Sequence, residues 1–273
     1  MNAAVAAHSP FTGDILVCAP HMDDDALGCG MLIAMHASKG RVHALFVSDG
    51  ALSPEPAPGR PDDSRGLPAI RELEARAGLE ILGVPQANIT FLGLPDGALA
   101  HHEESIAAAV TVQAQAVGAR AVLVPFRYDR HPDHLALNRA ATAAHAAGGI
   151  AAELVEYFVY TRWRMLRSRD VRDYVRADDL LRVHSADAAR RKRAALGCHR
   201  SQTTLFFPGQ RRPILSGALI DDACEQPEAF LFHRAGRGGR RGLARGRYLL
   251  PLACKLEPAL KRLKDRITGG GVQ

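Results

Sequence analysis

The sequence predicts an α/β fold: a Rossmann-like, doubly wound, mostly parallel sheet flanked by helices. Three observations point there. Short β-branched apolar runs alternate with segments of helical period from residue 14 to about residue 145. Hydrophobic residues make up 47% of the chain and aromatic residues 5%, which suits helices packed around a sheet better than an aromatic-rich sandwich. Clusters of His and Asp follow two of the predicted strands, where open α/β sheets bind their ligands.

Taken in order, residues 14–19 (DILVCA) and 41–47 (RVHALFV) read as strands buried in a sheet. Between them Leu27, Met31, Leu32 and Met35 recur at helical spacing up to Ser38, and Gly40 supplies the stop. This is a strand, helix, strand unit of the length a parallel crossover needs. Residues 51–66, rich in Pro, Ser, Gly and Asp, form a long loop of the kind that is functional or disordered. A helix over 69–82 closed by Gly83, a strand over 88–93, a helix over 103–117 and a strand over 121–125 (AVLVP) continue the alternation. After His134 comes an Ala-rich helix to about His145, then a strand over 154–160 and a helix over 186–198. Beyond Pro208 the pattern weakens.

The chain is long enough to bury a large core in one domain, predicted over residues 1–233, with an extension over 234–273. Charge separates the two. Between Arg234 and Arg266 eleven Lys or Arg stand against Glu257 and Asp265, while the whole chain carries +6. The Gly/Arg-rich stretch 234–247 is of low complexity and is given no structure. A basic segment of this kind is most simply a solvated terminus, with peripheral contact to anionic lipid as the functional reading. It lacks the interleaved aromatics of a single-strand nucleic-acid surface, so no nucleic-acid partner is expected.

The five cysteines (Cys18, Cys29, Cys198, Cys224, Cys254) are odd in number and form no CxxC pair, which reads as free thiols in a reducing compartment. No run reaches the roughly 18 apolar residues of a membrane span, and no signal-like segment precedes Phe11. A cytoplasmic protein is expected.

Two strand exits carry the chemistry: Pro20-His21-Met22-Asp23-Asp24-Asp25 and Asp129-Arg130-His131-Pro132-Asp133-His134. Imidazole plus carboxylate suits zinc, and three protein ligands with one open position is the catalytic pattern. A spare Asp beside such a set can accept a proton from the attacking water, which predicts hydrolysis. For the first cluster alone, helix capping is as good an explanation, since acids ahead of a helix stabilise it by about 0.5–2 kcal/mol. Two such clusters at strand ends favour a site, and capping and catalysis can coexist.

The segment 15–30 (ILVCAPHMDDDALGCG), the segment 129–134 (DRHPDH) and the segment 192–202 (KRAALGCHRSQ) resemble, in this order, the LmbE-like or PIG-L deacetylases of N-acetylglucosaminyl compounds. The resemblance implies the doubly wound fold and zinc-dependent removal of an N-acetyl group from a small N-acetylated sugar conjugate, giving free amine and acetate. It implies His21, Asp24 and His134 as metal ligands and Asp23 as general base. His131, protonated and held by Asp133, would stabilise the oxyanion and could protonate the departing amine. Arg71 resembles a substrate-contacting arginine and Asp96 an acid that binds sugar hydroxyls, with Asp129 and Arg130 bordering the pocket. His199 and Gln202 take places behind the ligands or in the framework. Two positions depart from the family's first motif, Met22 and Asp25 standing where Pro and Glu are usual.

Alternatives stay open. A two-His, one-carboxylate set also suits ferrous iron. The acylated scaffold can instead be a glycopeptide or a lipid-linked sugar. A non-catalytic module binding a metal or nucleotide is the rival from another class, but Gly28-Cys29-Gly30 lacks the third glycine of a phosphate loop at Ile33 and follows three acids that repel phosphate.

Overall fold

The computed structural model describes residues 5–37, 41–54, 66–129, 131–159 and 180–233. The basic segment from Arg234, Cys254, Arg130 and most of the 51–66 loop therefore lie outside the described residues. Eight strands form one sheet: β1 (Val5–Ala6), β2 (Ile15–Ala19), β3 (Val42–Ser48), β4 (Ile89–Leu94), β5 (Ala121–Pro125), β6 (Glu153–Tyr157), β7 (Leu180–Val183) and β8 (Glu228–Phe232). Their order is β1-β7-β8-β6-β5-β2-β3-β4. Every described pairing is parallel except those of β8, which runs antiparallel to both β6 and β7.

The sheet is buried on both faces, as parallel sheets are. All five residues of β2 and all seven of β3 are buried, and the pleat divides β2 between two cores. Ile15, Val17 and Ala19 pack toward α1 (Asp24–His36), α2 (Leu67–Leu82), α5 (Ala186–Cys198) and α7 (Gly217–Glu225). Leu16 and Cys18 pack toward α3 (Glu103–Ala116) and α4 (Pro132–Ala146). The short α6 (Arg200–Thr203) follows α5. No helix among the described residues is long and apolar enough to cross a membrane.

Two of the helix starts that differ from expectation bear on the site. Helix α1 begins at Asp24 instead of Leu27, and α4 begins at Pro132 instead of after His134. Proline is preorganised for a first helical turn, so Pro132 nucleates α4 ahead of the predicted start. Asp24, Asp25, Asp133 and His134 consequently sit on first turns, where the backbone holds side chains more firmly than a loop does. The weakly patterned region past Pro208 holds α7 and β8.

The sheet grows outward from β2 in both directions, β3 and β4 on one side, β5 and β6 on the other. The crevice outside the carboxyl ends of β2 and β5 is the topological switch point of such a sheet. The two His/Asp clusters leave from those two strands.

Candidate metal centre

At the switch point the clusters meet around one oxygen. Asp24 Oδ2 lies 3.0 Å from His21 Nδ1 and 3.1 Å from His134 Nε2, and it accepts the His21 backbone N–H at 3.0 Å. Asp24 and His134 are fully buried and His21 nearly so. Each imidazole has a carboxylate behind it as well. His134 Nδ1 is 3.3 Å from Asp129 Oδ1, and His21 Nε2 is 3.1 Å from Asp96 Oδ1 and 3.3 Å from Asp133 Oδ2.

These contacts move the ionisation of the centre in one direction. Burial opposes the charge on His134, but the Asp24 and Asp129 carboxylates outweigh it and push its pKa up to about 9. His21 is likewise raised well above the usual range, burial being overcome by Asp133, Asp24 and Asp96. Burial would raise Asp24, yet His134 and His21 hold it well below the usual carboxylate range. Among the described residues, the buried Asp24 Oδ1 has no hydrogen-bond partner. A field that holds positive charge among these three side chains also favours a divalent cation, and two imidazoles with one carboxylate are donors that zinc or ferrous iron accepts. The donor set therefore fits a metal. Ligand nitrogens of His21, His131 and His134 also lie within 4.8 Å of one another, as do ligand atoms of His21, Asp96 and Asp133.

Asp23 is the N-cap residue of α1 but makes no side-chain capping bond. Its Oδ1 accepts a hydrogen bond from Arg71 Nη2 at 3.2 Å. Burial raises its pKa, Arg71 offsets part of that rise, and neighbouring Asp24 adds to it. Adjacent acids are thus driven apart, Asp24 toward permanent charge and Asp23 toward a stronger base. Asp25, next along, is pushed up to about 7 by burial; it replaces the family's longer Glu. Met22, the other departure, is fully buried in the core.

The ring of His131 stands edge-on to His21 at 4.7 Å between centroids and 5.1 Å from His134. Here the expected arrangement does not hold. Asp133 does not present its carboxylate to His131 through a hydrogen bond described in the structure; its oxygens face His21 and accept the N–H groups of Gly97 and Leu99 at 2.8 and 3.1 Å. His131 instead caps α4, its Nδ1 accepting the Asp133 N–H at 3.2 Å. Burial and the nearby His21 and His134 hold its pKa down to about 4. A ring that accepts at Nδ1 keeps its hydrogen at Nε2.

Three of the four residues expected to meet substrate, Arg71, Asp96 and Asp129, bond to protein groups, and Arg130 lies outside the described residues. Arg71 is 2% exposed and donates to the carbonyls of Gly50 and Ser53 as well as to Asp23. Asp96 accepts the Leu52 N–H on Oδ2 while Oδ1 faces His21. Asp129 sits behind His134 and accepts the His131 N–H.

Residues 16–145 match the family model described as PIG-L: GlcNAc-PI de-N-acetylase. These residues, just under half of the chain, are similar to a PIG-L, or LmbE-like, domain. Both metal-type clusters fall inside that match, and the 192–202 segment lies beyond it. The domain is similar to the conserved protein TT1542 of Thermus thermophilus, 28% identical over 69% of this chain and 79% of that one, with a TM-score of 0.51. It shares its fold with the N,N'-diacetylchitobiose deacetylase of Pyrococcus horikoshii, 20% identical over 70% of this chain and 71% of that one, TM-score 0.54. It shares it too with the 4-carboxy-2-hydroxymuconate hydratase of Pseudomonas putida, 18% identical over 79% and 84%, TM-score 0.53. One fold thus carries a deacetylase and a hydratase, so the reaction has to be argued from the site.

The third segment of the PIG-L resemblance is a fastening. Lys192, fully buried, donates to Glu228 Oε1 at 2.7 Å and to the Leu27 carbonyl at 2.7 Å. Glu228 in turn accepts the N–H groups of Met31 and Leu32 at 2.8 and 2.9 Å. The ion pair therefore grips the backbone of α1 just behind the site. Gly30 makes room for it, since a Cβ there would come 2.8 Å from Lys192 Cγ, and a Cβ on Gly28 would run into the Tyr157 ring. Gln202 donates to the Ser53 carbonyl and Ser201 to Glu74, tying α6 to α2 and the loop beside it. His199 is buried, and burial with nearby Arg71 lowers its pKa to about 3. Sequence reasoning missed the Lys192–Glu228 pair. Its signal was the two glycines inside α1, each costing about 1 kcal/mol in a helix and so calling for a packing reason.

Proposed function

We propose that this chain is a metal-dependent N-deacetylase that releases acetate and a free amine from an N-acetylated sugar conjugate. The observation that carries the reading is the meeting of His21 Nδ1 and His134 Nε2 on Asp24 Oδ2, with the raised-pKa carboxylate of Asp23 one residue away. His21, Asp24 and His134 hold the ion in this reading. When bound, a divalent ion supplies Lewis acidity toward the amide carbonyl and an attacking water.

The chain's own groups do the rest. Asp23, buried and steadied by Arg71, accepts the proton of the attacking water and returns it to the nitrogen of the departing amine as the C–N bond breaks; a base raised toward working pH is the better catalyst. His131 presents its Nε2 hydrogen to the oxygen on which negative charge develops, and a neutral donor serves there as in other oxyanion sites. Arg71, Asp96 and Asp129 act by orienting Asp23, His21 and His134 in place of contacting substrate. The description of the matching family, GlcNAc-PI de-N-acetylase, supports a 2-acetamido sugar as the acylated group.

The test is acetate release from a panel of N-acetylglucosamine conjugates, including a glycopeptide, a thiol glycoside and a lipid-linked sugar. The protein is stripped with chelator and reloaded with zinc or ferrous iron. Acetate from at least one member, lost on stripping and restored on loading, is expected. A loaded protein that cleaves none of the amides yet hydrates an unsaturated carboxylic acid would place the chemistry with the hydratase that shares the fold.

A further inference from the structure

We infer that Asp133 is the positioning residue of His21, fixing which ring nitrogen faces the metal, in place of the His131 partner that the sequence motif suggests. The inference rests on the metal-dependent reading above. Asp133 stands on the first turn of α4 with its side chain 1% exposed, and its carboxylate is pinned from outside α4. Oδ2 accepts the Gly97 N–H at 2.8 Å and Oδ1 the Leu99 N–H at 3.1 Å. So anchored, Oδ2 lies 3.3 Å from His21 Nε2.

A neutral imidazole carries a single ring hydrogen, and the bond made by one nitrogen decides what the other can do. At His21 Asp24 Oδ2 is 3.0 Å from Nδ1 while Asp133 and Asp96 stand on the Nε2 side; with Nδ1 and Asp24 both given to a metal, the hydrogen belongs at Nε2. That leaves the Nδ1 lone pair pointing to where Asp24 Oδ2 and His134 Nε2 meet. His134 repeats the pattern in mirror image, with Asp129 at Nδ1 and Nε2 turned inward. The DRHPDH segment thus supplies one donor and an orienting acid for each of two histidines. His131 and Asp133 are joined instead by the backbone N–H of Asp133. Carboxylates placed behind ligand histidines in this way hold the tautomer and ring angle, and removing one weakens metal binding by about 10- to 100-fold.

The experiment is zinc affinity by chelator competition on the full chain for wild type, Asp133→Ala, His131→Ala and the double variant. Asp133→Ala is expected to weaken zinc binding by about 10- to 100-fold, His131→Ala to leave it unchanged, and the double variant to match Asp133→Ala. Unchanged affinity in Asp133→Ala, or a loss in His131→Ala that the double variant does not deepen, would overturn the inference. Because Asp133→Ala also removes two backbone anchors, long-range proton–nitrogen NMR on zinc-loaded wild type gives an independent reading. The His21 hydrogen is expected on Nε2, and a hydrogen on Nδ1 would overturn the assignment. Zinc binding with this pattern but no acetate release would defeat the deacetylase reading and leave the Asp133 assignment standing. A wild-type chain that binds no zinc would end both.

Discussion

Two of the clusters of charge buried among the described residues are balanced in different ways. Lys192 and Glu228, both 0% exposed at the side chain, neutralise one another, and their remaining hydrogen-bonding capacity is used on Leu27, Met31 and Leu32 of α1. The cluster at the switch point has acids in excess. Asp23, Asp24, Asp25, Asp129 and Asp133 are buried around His21 and His134 with Arg71 as the permanent cation. A closed pair is architecture, whereas an acid-rich group whose histidines are driven to carry charge is a place made for a cation. The two are also linked, since the pair grips α1 and α1 delivers Asp24 to the site.

The contrast can be broken at either cluster. The largest effect is expected at the site: Asp23→Asn keeps the shape and the bound ion but cannot take a proton, so turnover should fall by about 10²- to 10⁴-fold with metal content unchanged. Steady-state acetate release, measured beside elemental analysis, checks it. Retained turnover in a metal-loaded variant would remove Asp23 as base.

At the closed pair, Lys192→Met leaves the Glu228 carboxylate buried without its counter-ion and should cost about 3–5 kcal/mol of stability. Adding Glu228→Gln removes the stranded charge while keeping an acceptor for the α1 N–H groups, so the double variant should recover much of the loss. Denaturant unfolding of the three proteins reads both changes, and a double variant no more stable than Lys192→Met would show that packing, not charge balance, dominates there.

The smallest effect sharpens the point by subtraction. Arg193 and Asp221 also pair, but their side chains are 46% and 55% exposed, and water already screens them. Arg193→Ala should change stability by about 0–1 kcal/mol in the same unfolding assay. A loss as large as that of Lys192→Met would undo the distinction between buried and exposed pairs.

Much of the fold could be read before any coordinates. The apolar runs of β2, β3 and β5 and the period of α5 mark central elements whose neighbours on both sides are also apolar. β1, β7 and β8 were not legible, because β1 has two residues and the other two exist by pairing, β7 with β1 and β8, and β8 with β6 and β7. Within the site, residue types at the two strand exits pointed to the clusters, and the family resemblance singled out His21, Asp23, Asp24 and His134 within them, which the structure brings together. The partners of the supporting acids were not legible. Which way Asp129, Asp133 and Asp96 turn depends on where the loops after β4 and β5 pass one another, and that is settled only when the sheet is assembled. Lys192 reads as one member of a basic helix face until Gly30 is seen to open a slot for it.

The central claim, that His21, Asp24 and His134 converge to hold one divalent cation, is tested most directly by calorimetric zinc titration of the chelator-stripped protein and its His134→Ala variant. One ion per wild-type chain and no measurable binding in a folded His134→Ala is the predicted result. Equal affinity and stoichiometry in the two proteins would contradict it.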